Sequence, residues 1–133
     1  MPSYSILIVD DEANQRLILS QALRPLTEEL HISTAGSVDE ALHILEEHEP
    51  DLIITDYNMP LHTGLDLITH IRSRHSTARV IMITAYSSPE LMHAVHRLGV
   101  DHYLMKPVSL QTLRRLALDL LAGIRPAARA AAS

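Results

Sequence analysis

The hydrophobic positions of this chain fall into two rhythms that alternate along its length. Short apolar runs, Ser5 to Val9, Leu52 to Thr55, Val80 to Ile83 and His102 to Met105, are bounded by polar or turn residues and are too brief for helices, so they read as buried strands. Leu30 to Ala35 instead alternates as Leu30-His31-Ile32-Ser33, which suits the edge of a sheet. Between these runs the spacing changes to i, i+3, i+4, i+7. Five such stripes occur: Leu19, Ala22, Leu23, Leu26; Val38, Ala41, Leu42, Leu45; Gly64, Leu67, Ile68, Ile71; Leu91, Ala94, Val95, Leu98; and Leu113, Leu116, Ala117, Leu120. Each predicts a helix with one buried face.

Punctuation agrees with this division. Pro25 should disturb the last turn of the first helix, and Ser37-Val38-Asp39-Glu40 reads as a capping box that opens the second. Pro50 closes that helix, Pro89 is tolerated in the first turn of the fourth, Gly99 ends it, and Ser109 can cap the fifth. Strict alternation of five strands and five helices predicts an α/β fold. The expectation is a doubly wound, five-stranded parallel sheet of order 2-1-3-4-5, with helices on both faces and right-handed crossovers. One domain over 1–122 accounts for the pattern. Gly123 and Pro126 then introduce an alanine-rich tail or linker stub over 123–133.

The strand ends carry the chemistry. The first strand runs into Asp10-Asp11, the third into Asp56 before an Asn58-Met59-Pro60 turn, the fourth into Thr84, and the fifth into Lys106-Pro107. In open parallel sheets, ligands bind beyond the carboxyl ends of the strands where the strand order reverses, which for this order lies between the first and third. Three acids would converge there. Two carboxylates about 4 Å apart repel by roughly 4 kcal/mol at an effective dielectric near 20, so the cluster calls for a cation. Hard oxygen ligands with open positions favour Mg²⁺, and the added hydroxyl and ammonium suit a phosphoryl group. Taken singly, each residue has an ordinary explanation: a helix N-cap for Asp10 or Asp11, a turn residue for Asp56, a solvated charge for Lys106. Their coincidence at matching strand ends is what favours a site.

Composition narrows the picture. No segment approaches the length of a membrane span, the opening residues do not form a signal peptide, and the chain reads as cytoplasmic with no membrane partner. The absence of cysteine excludes disulfides and thiolate metal sites. A net charge of -5 argues against direct nucleic-acid binding by this domain. Ten of the eleven basic side chains are arginine, leaving Lys106 as the single lysine. Among the nine histidines, His93 and His96 could share a helix face but have no third ligand nearby in sequence, and His70 and His75 are not at ligand spacing.

Asp10-Asp11, Asp56-x-Asn58-Met59-Pro60 with Gly64, Thr84-Ala85, and Tyr103-Leu104-Met105-Lys106-Pro107 together resemble the receiver domain of two-component response regulators, a flavodoxin-like (βα)5 domain similar to chemotaxis regulators. The resemblance covers residues 4 to about 122. It implies that Asp56 accepts a phosphoryl group from a sensor histidine kinase or phosphotransfer protein, with Mg²⁺, or Mn²⁺ in its place, as cofactor. Asp11 and Asp56 would ligate the metal directly, Asp10 largely through water, and Asn58 through its carbonyl. Lys106, Thr84 and the Ala85 amide would hold phosphoryl oxygens. Thr84 and Tyr103 would act as the switch, remodelling the face of the fourth helix, fifth strand and fifth helix, and Lys106-Pro107 would be cis. The residues two beyond the phosphorylated Asp and the Thr, Asn58 and Tyr86, would flank the hydrolytic water, with Tyr86 partly shielding the acyl phosphate. An output domain in a longer chain, a separate effector and a homodimer are all compatible with the pattern. The chain would be a signalling phosphoacceptor assisting its own phosphotransfer, not an enzyme.

Other readings fit less well. A haloacid-dehalogenase-type phosphatase places its nucleophile after the first strand with a second Asp two residues on, a spacing the adjacent Asp10-Asp11 lacks, and there is no room for a substrate cap. An FMN-binding module would need a loop after the first strand that attracts phosphate, and this one is acidic. A phosphorylation-independent adaptor leaves the five retained site residues unexplained.

Overall fold

The computed structural model describes residues 3–26 and 29–124. Strands β1 (Tyr4–Val9), β2 (Leu30–Ala35), β3 (Leu52–Asp56), β4 (Arg79–Thr84) and β5 (His102–Met105) alternate with helices α1 (Ala13–Leu23), α2 (Val38–Glu47), α3 (Gly64–Ser73), α4 (Pro89–Arg97) and α5 (Leu110–Ala122). All strand pairs are parallel, and their order across the sheet is β2-β1-β3-β4-β5. The predicted fold class is the one observed. Pro25 converts the end of the first helix into a 3₁₀ turn, Arg24–Leu26, as its missing amide hydrogen and ring sterics require.

Period-two alternation divides the core between the two sheet faces. Ile6, Ile8, Leu52, Ile54, Ile81 and Ile83 point to one side, where α1 and α5 cover them with Leu19, Leu23, Leu113, Ala117 and Leu121. Leu7, Val9, Ile53, Val80 and Met82 point to the other, beneath Val38, Ala41, Leu67, Ile68, Ile71, Leu91 and Val95 of α2, α3 and α4. β3 is buried along its whole length, whereas β2 buries only Ala35, the burial expected of a central and an edge strand. The side chain of Leu26 and the tail over 125–133 lie outside the described residues.

Two details depart from the sequence expectation. Ser37 Oγ accepts from the Glu40 amide at 3.0 Å, but the Glu40 carboxylate accepts from Gly36 at 3.2 Å and not from Ser37, so the predicted capping box is only half formed. A complete box sits at the start of α3, where Thr63 and Asp66 each accept from the other's amide. On α5 the third fully buried position is Leu121, with Leu120 only half-buried. Leu113, Ala117 and Leu121 follow a strict i, i+4 row, which carries the contact line further round the helix than the stripe ending at Leu120.

Candidate functional site

The carboxyl ends of β1, β3, β4 and β5 lie at one edge of the sheet, and their registers fix the depth of each side chain. Val9 is opposite Thr55, Asp56 opposite Ile83, and Thr84 opposite Met105. Asp56 is therefore the last residue of the most buried strand, one place further along than the apolar run alone indicates. The strand end leaves its carboxylate only 5% exposed. Asp10 is also buried, whereas Asp11, one residue further on, is exposed. Carboxylate oxygens of Asp10, Asp11 and Asp56 lie within 4.8 Å of one another. Among the described residues this is the only group of three or more ligating side chains close enough to share a metal ion. His93 and His96 are exposed and belong to no such group.

The cluster is braced by short-range bonds. Glu12 N donates to Asp10 Oδ1 at 2.9 Å, and Arg16 Nη1 donates to the Asp10 carbonyl at 2.6 Å, pinning the corner that turns β1 into α1. Burial, opposed by the Glu12 amide and reinforced by the neighbouring charges of Asp56 and Asp11, holds the Asp10 carboxyl above the ordinary range. Hard carboxylate donors in so small a space, one of them penalised for ionising, fit a divalent cation with an affinity for oxygen.

Lys106 reaches across 50 residues of sequence to place Nζ 3.0 Å from Asp56 Oδ2. Burial alone would lower its pKa, but the bond to Asp56 and the charges of Asp56, Asp10 and Glu12 outweigh it, so the ammonium is held more firmly protonated than usual. The Lys106-Pro107 peptide bond is cis. Asn58 N donates to Asp56 Oδ1 at 3.3 Å, and the Asn58 side chain is exposed. Thr84 is fully buried, and its Oγ1 accepts from Tyr86 N at 3.0 Å. Ala85 is exposed at the rim. Tyr103 is half-buried, and its hydroxyl donates to the Tyr86 carbonyl.

α3 approaches this rim very closely. Gly64 N donates to Tyr57 O at 2.9 Å, and a Cβ at Gly64 would stand 2.3 Å from the Asp56 carbonyl oxygen and 3.1 Å from Thr55 Oγ1. Only glycine fits there. Beside Lys106, an open cleft of about 480 Å³ is walled by Asp10, Ile18, Leu19, Ile83, Pro107 and Leu110, so of the three acids only Asp10 faces it.

The sequence had not singled out Arg16 or Tyr57. The Tyr57 ring stacks on Tyr86 with centroids 6.3 Å apart and an interplanar angle of 16°. Tyr57 meets a ring 29 residues away that only the fold brings close, and Arg16 acts on a backbone carbonyl six residues back, which no side-chain pattern marks.

A doubly wound sheet with paired acids, a threonine and a lysine at its carboxyl rim defines a class of signalling domain. The chain belongs to the response regulator receiver domain family, whose model matches residues 6–117, and it is a CheY-like receiver domain of two-component systems. Among its relatives are the transcriptional regulatory protein PdtaR of Mycobacterium tuberculosis, 36% identical over 108 residues covering 81% of this chain and 52% of that protein, and the probable chemotaxis protein CheY of Rhizobium etli, 32% identical with coverage of 82% and 85%. The chain thus spans about half the length of the first curated relatives it matches. Its structure is similar to that of the response regulator protein TrrA of Thermotoga maritima in complex with Mg²⁺ and BeF, with a TM-score of 0.76, 32% identity, and coverage of 88% of this chain and 98% of that one. No helix among the described residues is long and apolar enough to cross a membrane.

Proposed function

We propose that Asp56 accepts a phosphoryl group from a phosphohistidine of a sensor histidine kinase or phosphotransfer protein, in a Mg²⁺-dependent reaction. The resulting acyl phosphate would remodel the face of α4, β5 and α5 to control an output domain or a separate effector. The observation that carries this reading is the contact of Lys106 Nζ with Asp56 Oδ2 at 3.0 Å beside three clustered carboxylates.

One Asp56 oxygen attacks phosphorus, the donor's phosphorus–nitrogen bond breaks, and its electron pair returns to the imidazole, which takes up a proton. Lys106 follows the developing charge from the carboxylate to a phosphoryl oxygen, while the Thr84 hydroxyl and the Ala85 amide donate to others. The burial of Asp56 strengthens each of these interactions. Bound Mg²⁺, or Mn²⁺ in its place, held by Asp10, Asp11, Asp56 and the Asn58 carbonyl, would offset the charge of the incoming group. Thr84 and Tyr103 carry the switch, and Asn58 and Tyr86 flank the path of the hydrolytic water.

Intact mass after incubation with acetyl phosphate and Mg²⁺ tests the assignment. One added phosphoryl group is expected in the wild type and none in Asp56→Asn or without metal. An adduct that persists in Asp56→Asn would overturn it.

A further inference from the structure

Tyr86 is held at three points, and each leads to a different part of the switch. Its amide donates to Thr84 Oγ1 at 3.0 Å, its carbonyl accepts from the Tyr103 hydroxyl, and its ring lies nearly parallel to that of Tyr57. The third point is the stiffest. Tyr57 N donates to Ile83 O at 2.9 Å and Tyr57 O accepts from Gly64 N at 2.9 Å, so its backbone is clamped between β4 and α3, and its ring packs against the core face under α2, α3 and α4. Tyr86, by contrast, sits in the loop before α4 with 51% of its surface exposed. Among the described residues this is the only aromatic ring pair.

We infer that Tyr57 is a positioning residue that, through its ring contact with Tyr86, opposes the movement of Thr84 toward a phosphoryl group on Asp56; this rests on the phosphoacceptor reading above. In the structure described, Thr84 Oγ1 is tied to the Tyr86 amide. Turning the hydroxyl toward Asp56 lengthens that bond unless residue 86 follows, and following draws its ring off Tyr57. Because the Tyr57 backbone is clamped, its ring can follow only by side-chain rotation away from the core face it packs on. The ring pair therefore favours the unphosphorylated arrangement, and its loss shifts the equilibrium toward the other. An offset aromatic pair of this geometry corresponds to a change of about 2- to 10-fold in such an equilibrium.

Tyrosine emission can report the transition without a label, since the chain has no tryptophan and three of its four tyrosines are in this cluster. The experiment is a titration of the full chain with beryllofluoride and Mg²⁺. Tyr57→Ala and Tyr57→Leu are expected to lower the midpoint about 2- to 10-fold, whereas Tyr57→Phe, which keeps the ring, stays at the wild-type value. Tyr57→Leu keeps most of the apolar volume, so a fold weakened in Tyr57→Ala does not obscure the result. With Tyr86→Ala in a double-mutant cycle, the double variant should match either single one. Unchanged midpoints in Tyr57→Leu, or effects of Tyr57 and Tyr86 that add, would overturn the inference while wild-type uptake leaves the phosphoacceptor reading standing. No uptake by the wild type would overturn both.

Discussion

At the scale of single residues, the site joins groups whose environments oppose one another. Asp10 is buried among acids and its carboxyl is held above the ordinary range, first by burial and then by the charges around it. A carboxyl whose folded-state pKa is raised binds more protons folded than unfolded, so stability falls as pH rises through the unfolded value and levels off above the folded one. Asp10→Asn removes that liability yet keeps an oxygen to accept from Glu12 N. In metal-free urea unfolding, the variant's stability relative to wild type is expected to increase with pH across the acidic range and then stay constant. Mg²⁺ affinity should move the other way, weakening by about 10-fold or more. An advantage that shrinks as pH rises would contradict the account. The lone lysine carries little meaning in sequence, since an arginine-rich composition can leave one by chance. Its meaning lies in the 3.0 Å contact with Asp56, made across the sheet.

At the scale of elements, the junction of β3 and α3 is the most constrained. Ala has an intrinsic helix propensity about 1 kcal/mol better than Gly, so Gly64→Ala would stabilise an isolated helix. Here a Cβ would stand 2.3 Å from the Asp56 carbonyl oxygen, and the backbone must yield. The clash should win, destabilising the fold by about 1–3 kcal/mol and displacing Asp56 enough to reduce phosphorylation by acetyl phosphate. Thermal unfolding alongside the phosphorylation assay checks both. The opposite edge of the sheet uses acids differently. Asp51 and Asp101, each just before a strand, accept from Ser5 N at 2.9 Å and Val80 N at 2.8 Å and close the entry of the neighbouring strand. Short apolar runs, the alternation of Leu30 to Ala35 and the period-3.6 stripes revealed every strand and α-helix among the described residues, because such patterns are set by neighbouring positions. They did not separate Ser37 from Thr63 as the complete capping box, since whether a carboxylate turns back to the N-cap amide depends on the geometry of the incoming loop.

At the scale of the whole molecule, one side chain ties three elements together away from the site. The Arg72 guanidinium donates to the carbonyls of Ser76, Ala78, Leu98 and Gly99, at 3.0, 2.9, 2.8 and 3.2 Å, joining the end of α3 to the approach to β4 and the end of α4. Lys cannot span four acceptors with one ammonium, so Arg72→Lys should cost about 1–3 kcal/mol in urea unfolding, with Mg²⁺-dependent phosphorylation retained in the folded fraction. A variant as stable as wild type would show that these bonds contribute little. The amino-acid sequence by itself established the alternation of elements, the parallel doubly wound sheet, and the strand-end residues Asp10, Asp11, Asp56, Thr84 and Lys106, because hydrophobic periodicity and turn chemistry act over a few neighbouring positions. Only the folded chain decided that Lys106 meets Asp56, that Gly64 leaves no room for a side chain, that Arg72 gathers four carbonyls and that Tyr57 lies against Tyr86. The contacts of Lys106 with Asp56, of Tyr57 with Tyr86 and of Arg72 with Leu98 and Gly99 join positions distant in sequence, and that of Gly64 depends on how closely α3 docks on β3, so all follow from strand register and helix docking.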